Sequence, residues 1–209
     1  MAHGDVIVVR YADDAVLGVQ YREEAEKFLA DLQERVRKFG LELHPEKTRL
    51  IEFGRYAAER RAKRGEGKPE TFNFLGFTHI CGKNHTTGYF LVLRKTIGKR
   101  MAAKLKEIRQ KLRQGLHENQ GHDGVAEIGG SRDFQYHAVP RNEERMKAFR
   151  YEVLRMWWWQ LRRRSQRTRW TWNKFRETLG NLLPEVEILH PYPDVRFALK
   201  HIRGKNRVR

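Results

Sequence analysis

The sequence predicts an α+β fold, in which antiparallel hairpins and a helix are followed by a helical region. Three observations support this prediction. Two β-branched runs flank a polar break at residues 11–14, apolar residues then recur at helical spacing over 22–39, and a second helical repeat begins after Lys95. A set of strands followed by a set of helices is typical of α+β proteins.

The polar break contains the residues with the clearest chemistry. Apolar runs at 6–9 and 15–19 predict a tight antiparallel hairpin with Asp13 and Asp14 together at its tip. Two adjacent carboxylates repel each other unless a cation lies beside them. Mg²⁺ is usually held by one or two carboxylates plus substrate phosphates. The alternative interpretation is a solvated turn, because Asp is common in turns.

The helix predicted over 22–39 has an apolar face that we expect to be buried, and Gly40 is placed to end it. A strand is expected at 49–53. The basic stretch 54–68 is either a solvated helical turn or a mobile loop. The expected buried face consists of Ala25, Phe28, Leu29, Leu32, Val36 and Phe39.

An aromatic hairpin is predicted next. A strand opens at 72–77 and its partner returns at 88–93, after a turn at 82–87. The alternative to a functional hairpin is a plain hydrophobic one.

From Lys95 onward the sequence predicts helices with basic faces. The first has apolar residues at helical spacing from Ile97 to Leu112, and residues 116–133 are interpreted as a linker or loop. Asn142 and Thr171 are candidate helix caps, and the last helix is expected to stop before Pro184. The candidate nucleic-acid-binding residues are Lys99, Arg100, Lys104, Lys106, Arg109, Lys111, Arg113, Arg162, Arg163, Arg164 and Arg167.

The charge of the chain is unevenly distributed. The formal net charge is +17, yet residues 1–90 hold 15 basic and 14 acidic residues, whereas residues 91–209 hold 28 and 12. Such asymmetry indicates a polyanionic partner, and the interleaved aromatic residues favour nucleic acid over a membrane. A generic solvated basic surface is the alternative.

Other sequence features narrow the class of protein. No run of about 18 apolar residues and no signal-peptide pattern occurs, so we expect no membrane span and a cytoplasmic location. Cys81 is the only cysteine, which excludes a disulfide framework. We interpret Cys81 as structural.

Four motifs in this order resemble reverse transcriptases, particularly those of group II introns. They are Tyr-Ala-Asp-Asp at 11–14, Gly-Leu leading to Lys47-Thr48, Phe-Leu-Gly-Phe at 74–77, and Tyr-His-Ala-Val-Pro at 136–140. The resemblance implies the C-terminal part of a polymerase palm with a primer-grip hairpin at 1–94. It further implies a helical thumb and maturase region at 95–183, and we expect residues 184–209 to form an irregular basic tail.

The resemblance also implies an activity and its site residues. The activity is RNA-directed DNA synthesis with a dNTP substrate, a DNA primer, and template or intron RNA. Asp13 and Asp14 would bind Mg²⁺ of a two-metal site, and Lys47 would assist the departing pyrophosphate. Tyr11, with the primer-grip residues Phe74, Leu75, Gly76 and Phe77, would position nucleotide and primer.

Two departures from the family pattern lead to alternative hypotheses. A third catalytic aspartate is expected upstream, but Asp5 lies roughly 20–25 Å from the hairpin tip at about 3.3 Å per residue. We therefore expect the N-terminal half to be absent or supplied by another chain, and the isolated chain to be inactive or nearly so. The segment at residues 129–133 is shorter than in the family pattern, and this departure affects the integrity of the expected thumb bundle. A non-catalytic RNA-binding maturase fragment and an inactive split-gene remnant are the alternatives.

Overall fold

The structure is a computed structural model that describes residues 3–114, 132–164 and 171–193. Within these ranges it contains six α-helices and two small antiparallel sheets, which confirms the predicted α+β class. The strands are β1 Ile7–Tyr11, β2 Asp14–Gly18, β3 Phe72–Phe74, β4 Phe77–Lys83 and β5 Phe90–Thr96. The helices are α1 Arg22–Arg37, α2 Ala57–Lys63, α3 Gly98–Gln114, α4 Arg132–His137, α5 Glu143–Arg164 and α6 Trp172–Leu179, followed by a 3-10 turn at Gly180–Leu182.

The two sheets correspond to the two predicted hairpins. Strands β1 and β2 form a two-stranded antiparallel sheet in which Tyr11 pairs with Asp14 and Ile7 with Gly18. The second sheet has the strand order β3–β4–β5. The predicted strand at 72–77 is in fact interrupted by a tight turn between β3 and β4, because Leu75 and Gly76 both adopt positive φ angles, 48° and 80°.

Two expectations for the region after the first hairpin are wrong. No residue of α1 is buried, and its apolar stripe is at best half-buried, because no described layer covers it fully. Residues 49–53 join neither sheet, so the expected strand is absent from the described chain. The basic stretch that follows does contain a helix, α2, and Gly40 has the positive φ of 69° that suits a residue ending α1.

The chain divides into two compact units. Unit 1 comprises Met1–Phe74 with Cys81–Val92, and unit 2 comprises Leu75–Ile80 with Leu93–Arg209. The assignment of 1–94, 95–183 and 184–209 to functional domains stays a prediction.

Unit 2 is built around one hydrophobic core. Helix α3 packs against α5, and the core joins buried residues of both helices to Phe175 of α6 and to Leu183. Trp157 lies inside with its ring edge-on to Phe175, 5.2 Å between centroids. Of the three consecutive tryptophans, Trp159 is half exposed, which confirms that they cannot all face the core.

Buried polar groups connect the elements of unit 2. The Asn142 side-chain oxygen accepts a hydrogen bond from the Thr96 backbone N–H at 3.0 Å, and its NH₂ donates to the Thr96 hydroxyl and the His137 carbonyl, each at 2.8 Å. The Asn142 side-chain oxygen therefore binds Thr96 instead of capping α5 as predicted. Thr171 does cap α6, by accepting from the Lys174 backbone N–H. Arg150 donates to the carbonyls of Gly180, Leu183 and Pro184 that follow α6.

Of the segment interpreted as a linker, residues 115–131 lie outside the described part of the chain. Residues 132 and 133, which the sequence placed in that linker, already belong to α4. The helix begins there and continues directly into the Tyr-His-Ala-Val-Pro motif.

Candidate functional site

The first hairpin presents Asp13 and Asp14 at its turn. Only Ala12 and Asp13 lie between β1 and β2, and Asp14 is the first residue of β2, opposite Tyr11. Ala12 has a φ of 53°, a left-handed conformation that the short turns of β-hairpins require and that costs a non-glycine residue about 1–2 kcal/mol. The Arg10 Nε donates to the Ala12 carbonyl at 2.9 Å, which stabilises the turn. The predicted hairpin is confirmed.

The two carboxylates at this turn are exposed to solvent. In the described part of the chain, no lysine or arginine forms an ion pair with Asp13 or Asp14. Adjacent carboxylates without a neutralising partner fit a hard divalent cation that takes its remaining ligands from water or substrate phosphate. Among the described residues, no group of three or more His, Cys, Asp or Glu side chains could hold a metal ion. The donor set therefore fits one shared cation rather than a complete two-metal site.

The remaining palm residues are also at the surface. Lys47 is exposed in a turn closed by the backbone hydrogen bond from Thr48 to His44, 2.9 Å. Tyr11, at the end of β1, is 65% exposed. Within the described ranges, Lys47 forms no hydrogen bond or ion pair with Asp13 or Asp14. Their predicted shared role in a nucleotide site stays a prediction.

The Phe-Leu-Gly-Phe motif forms the tight turn between β3 and β4. Phe74 ends β3, Phe77 begins β4, and Leu75 with Gly76 makes the turn. A side chain at Gly76 would be strained by the positive φ and would also approach Arg100, since a Cβ atom there would lie 3.1 Å from the guanidinium. The turn therefore favours glycine at this position.

Tyr136 and His137 hold this turn within unit 2. The Tyr136 hydroxyl donates to the Leu75 carbonyl at 2.7 Å, and its ring stacks on Phe77 at 5.6 Å between centroids. The His137 ring also packs against the Phe77 ring, at 5.3 Å between centroids. The Ile97 backbone N–H donates to the Gly76 carbonyl at 3.1 Å. The third and fourth sequence motifs are thus in direct contact, which fixes the position of the turn.

The sequence did not predict this contact. In the sequence, the Tyr-His-Ala-Val-Pro stretch supports only the resemblance and predicts no role for its residues. A signal was available in its composition, because an aromatic residue with a hydroxyl commonly hydrogen-bonds when it is packed. Its partner, a backbone carbonyl 61 residues away, cannot be identified from one sequence.

The predicted nucleic-acid-binding residues lie mainly on α3 and at the end of α5. On α3, Lys99, Arg100, Lys106, Arg109, Lys111 and Arg113 are exposed, and Lys104 is half-buried. Lys104 and Lys111 both pair with Glu107. Arg162 is exposed with its guanidinium over the rings of Trp158 and Trp159, and Arg163 is exposed. The Arg164 side chain and Arg167 lie outside the described residues.

Two other observations concern the class of protein. In the ranges that the structure describes, no helix is long and apolar enough to cross a membrane. Cys81 is half-buried, with its sulfur accepting from the Gly54 backbone N–H at 3.3 Å. Burial raises the pKa of its thiol, which lowers the fraction of reactive thiolate at neutral pH.

Comparison with known proteins supports one part of the resemblance. A family model described as Reverse transcriptase (RNA-dependent DNA polymerase) matches residues 1–79. The matched region contains the hairpin with Asp13 and Asp14, Lys47 and the Phe-Leu-Gly-Phe turn. It supports reverse transcriptase function in general, and thus template, primer and nucleotide substrates. No curated protein matches the chain.

Proposed function

We propose that this chain is the palm-to-maturase part of a group II intron-type reverse transcriptase and acts in RNA-directed DNA synthesis. The observation that carries the proposal is the hairpin turn of residues 11–14. It presents two exposed carboxylates without ion-pair partners, inside the region that matches the reverse transcriptase family. The two-residue turn places both carboxylates side by side, as a nucleotidyl-transfer site requires.

Asp13 and Asp14 would hold Mg²⁺ in this proposal. The bound ion would supply charge neutralisation of the nucleotide phosphates and of the attacking oxygen. Lys47 would stabilise the pyrophosphate as it leaves, because an exposed ammonium can reach a phosphate without first breaking an ion pair. Tyr11 would contact the incoming nucleotide from the end of β1.

The Phe-Leu-Gly-Phe turn would hold the primer 3′ end. This role depends on rigidity, since a small misplacement of a reacting group lowers the rate strongly. The Tyr136 hydrogen bond and the Phe77 stacking fix the turn from within unit 2. Tyr136 is therefore a positioning residue rather than a catalytic one.

The test is primer extension on an RNA template with Mg²⁺. The chain is assayed alone and mixed with the N-terminal half of a group II intron reverse transcriptase. The double variant Asp13→Asn/Asp14→Asn should abolish extension wherever it occurs. Asp31→Asn, which removes an exposed carboxylate from α1, is the matched control and should leave extension unchanged. Extension that survives the double variant would refute the assigned metal ligands.

A second candidate function is favoured by the exposed basic face of α3 on a well-packed unit 2. In this alternative the chain binds intron RNA and assists its folding without catalysis. Phosphate contacts of that kind do not depend on the hairpin and weaken steeply with salt. RNA binding that persists in the double Asp variant, without extension under any condition, would favour this candidate.

A further inference from the structure

A groove between α3 and α5 combines arginines with an exposed tryptophan. It encloses about 240 Å³ and is lined by Arg109 and Arg113 of α3 and by Arg155, Met156, Trp159 and Gln160 of α5. Arg109 and Arg113 are four residues apart, as are Arg155 and Trp159, so each pair shares one face of its helix. All these residues belong to unit 2.

The arginines that line this groove have few acidic partners among the described residues. In the described part of the chain, neither Arg109 nor Arg113 forms an ion pair. Arg155 contacts one acid, Glu152, at 2.9 Å and remains about half exposed. Within the described ranges, only one carboxylate pairs with any of these three guanidinium groups, so an anion bound in the groove would reduce their mutual repulsion. Guanidinium groups match the geometry of phosphate oxygens.

Trp159 provides an aromatic surface at the same groove. Its side chain is 51% exposed, so the ring is accessible to a ligand. The Arg162 guanidinium lies 5.4 Å from the ring centroid, and Trp158 packs edge-on at 5.2 Å. These contacts restrict the orientation of the exposed ring. An ordered aromatic ring beside a phosphate site is how proteins bind unpaired bases.

We propose that this groove binds one unpaired nucleotide within a single-stranded stretch of nucleic acid. The phosphate would contact Arg109, Arg113 and Arg155, and the adjoining base would stack on Trp159. The groove has a volume of about 240 Å³ and is open to solvent, so the rest of the strand can lie outside it. This inference rests on the proposed function in one respect, which is that the anionic ligand of the groove is taken to be nucleic acid.

The stacking group makes the site selective for unpaired strands. In a duplex the faces of the bases are already stacked on their neighbours, so Trp159 could reach them only after local unstacking. A duplex would therefore use the arginines alone, and its affinity would be independent of Trp159. Phosphates of RNA and DNA are equivalent for this groove, and the two single strands are compared in the test.

The experiment measures fluorescence-anisotropy binding of labelled 12-nucleotide RNA, the same DNA sequence and the RNA duplex, with EDTA present. Trp159→Ala should weaken binding of both single strands by about fivefold or more and leave binding of the duplex within twofold, because stacking is worth about 1–3 kcal/mol per base. Arg109→Ala/Arg113→Ala should weaken all three ligands. It should also reduce the slope of log K against log salt by about 0.7 for single strands, as expected for one lost phosphate contact.

The matched control removes two exposed cations near the start of α5, Arg145→Ala/Lys147→Ala, which lie outside the groove. It should keep the single-strand preference. Equal losses for duplex and single strand in Trp159→Ala would overturn the proposal, as would an unchanged affinity of every ligand. A loss for RNA alone would also overturn it, since the groove should treat both single strands alike. Because EDTA removes metal, failure of the polymerase proposal cannot produce any of these results.

Discussion

The two units of the molecule differ in how much of their surface is buried. In unit 1, which contains the candidate catalytic hairpin, Ala57 is the only described residue that is fully buried. In unit 2 the core extends through three helices and includes Trp157 and Phe175. The comparison shows that the region with the clearest chemical motif has the weakest packing of its own.

The reason lies in the elements from which unit 1 is built. A two-stranded hairpin is only marginally stable in water unless further strands or a helix cover it. Here Ile7 and Val8 of β1 remain more than 60% exposed. The hairpin geometry is therefore set by local turn chemistry, whereas positions in unit 2 are set by long-range packing. Substitutions of the same kind in the two units should separate these contributions.

The largest difference is expected for leucine truncation. Leu154→Ala in the core of unit 2, where the side chain is 3% exposed, should lower the free energy of unfolding by about 2–5 kcal/mol. Leu17→Ala in β2, where the side chain is 38% exposed, should cost less than about 1 kcal/mol, as surface substitutions usually do. Urea unfolding of each variant measures both values.

The unfolding signals can be assigned to the units. All five tryptophans lie in unit 2, so their fluorescence follows that unit, and far-ultraviolet circular dichroism follows the whole chain. Equal destabilisation by the two leucine variants would contradict the contrast drawn between the units.

A smaller difference in stability is expected when a buried and an exposed asparagine are each replaced by alanine. Asn142→Ala removes a buried side chain that satisfies the Thr96 backbone N–H, the Thr96 hydroxyl and the His137 carbonyl. Buried polar groups left without partners should cost about 1–3 kcal/mol. Asn84 accepts from two backbone N–H groups in the exposed turn between β4 and β5, where water can replace it. Asn84→Ala should therefore be nearly neutral, and thermal unfolding of both variants tests this.

The next pair concerns two tyrosine hydroxyls. Tyr136→Phe deletes the 2.7 Å hydrogen bond to the Leu75 carbonyl and should cost about 0.5–1.5 kcal/mol. Tyr89, which is 76% exposed in unit 1, provides the control Tyr89→Phe, with no expected cost. Under conditions that support primer extension, Tyr136→Phe should also raise the apparent KM for primer more than it lowers kcat. A change in kcat alone would argue against a role in primer positioning.

The sequence predicted elements whose determinants are local. The hairpin at Tyr11–Asp14, the end of α1 at Gly40 and the Thr171 cap follow from residues within a few positions of one another. The same locality explains the two wrong predictions for the region after the first hairpin. The apolar period of α1 predicts a helix but says nothing about whether a layer exists to cover it, and the β-propensity of 49–53 does not provide a pairing strand.

Contacts over long distances could not be predicted from the residues alone. Asn142 is a good capping residue, yet its side chain binds Thr96, 46 positions away. The arginine pair on α3 and the Arg155 and Trp159 pair on α5 each have a visible four-residue spacing. That the two pairs line one groove depends on how α3 and α5 pack, which the sequence of either helix does not reveal.

The smallest effects are expected for two surface carboxylates. On α3, hydrogen bonds from Lys104 and Lys111 lower the pKa of Glu107 below its ordinary value of 4.5. On α2 of unit 1, the Lys63 hydrogen bond lowers that of Glu59. A carboxyl with a lowered pKa in the folded state stabilises the protein above its ordinary pKa, and this contribution is lost as the pH falls through the lowered value. Glu107→Gln and Glu59→Gln should therefore each reduce the acid sensitivity of unfolding only slightly, because solvent screens both pairs.

The two glutamine variants should differ instead in their affinity for nucleic acid. Glu107→Gln removes the carboxylate that pairs with Lys104 and Lys111, which raises the net positive charge on this face of α3. RNA affinity should therefore rise, and log K should fall more steeply with log salt. Glu59→Gln releases only Lys63 in unit 1 and should leave RNA affinity nearly unchanged. Anisotropy titrations at several salt concentrations measure both. If Glu59→Gln raised the RNA affinity as much as Glu107→Gln, the surface that binds RNA would extend over unit 1. The assignment of catalysis to the hairpin and of RNA binding to unit 2 would then be wrong.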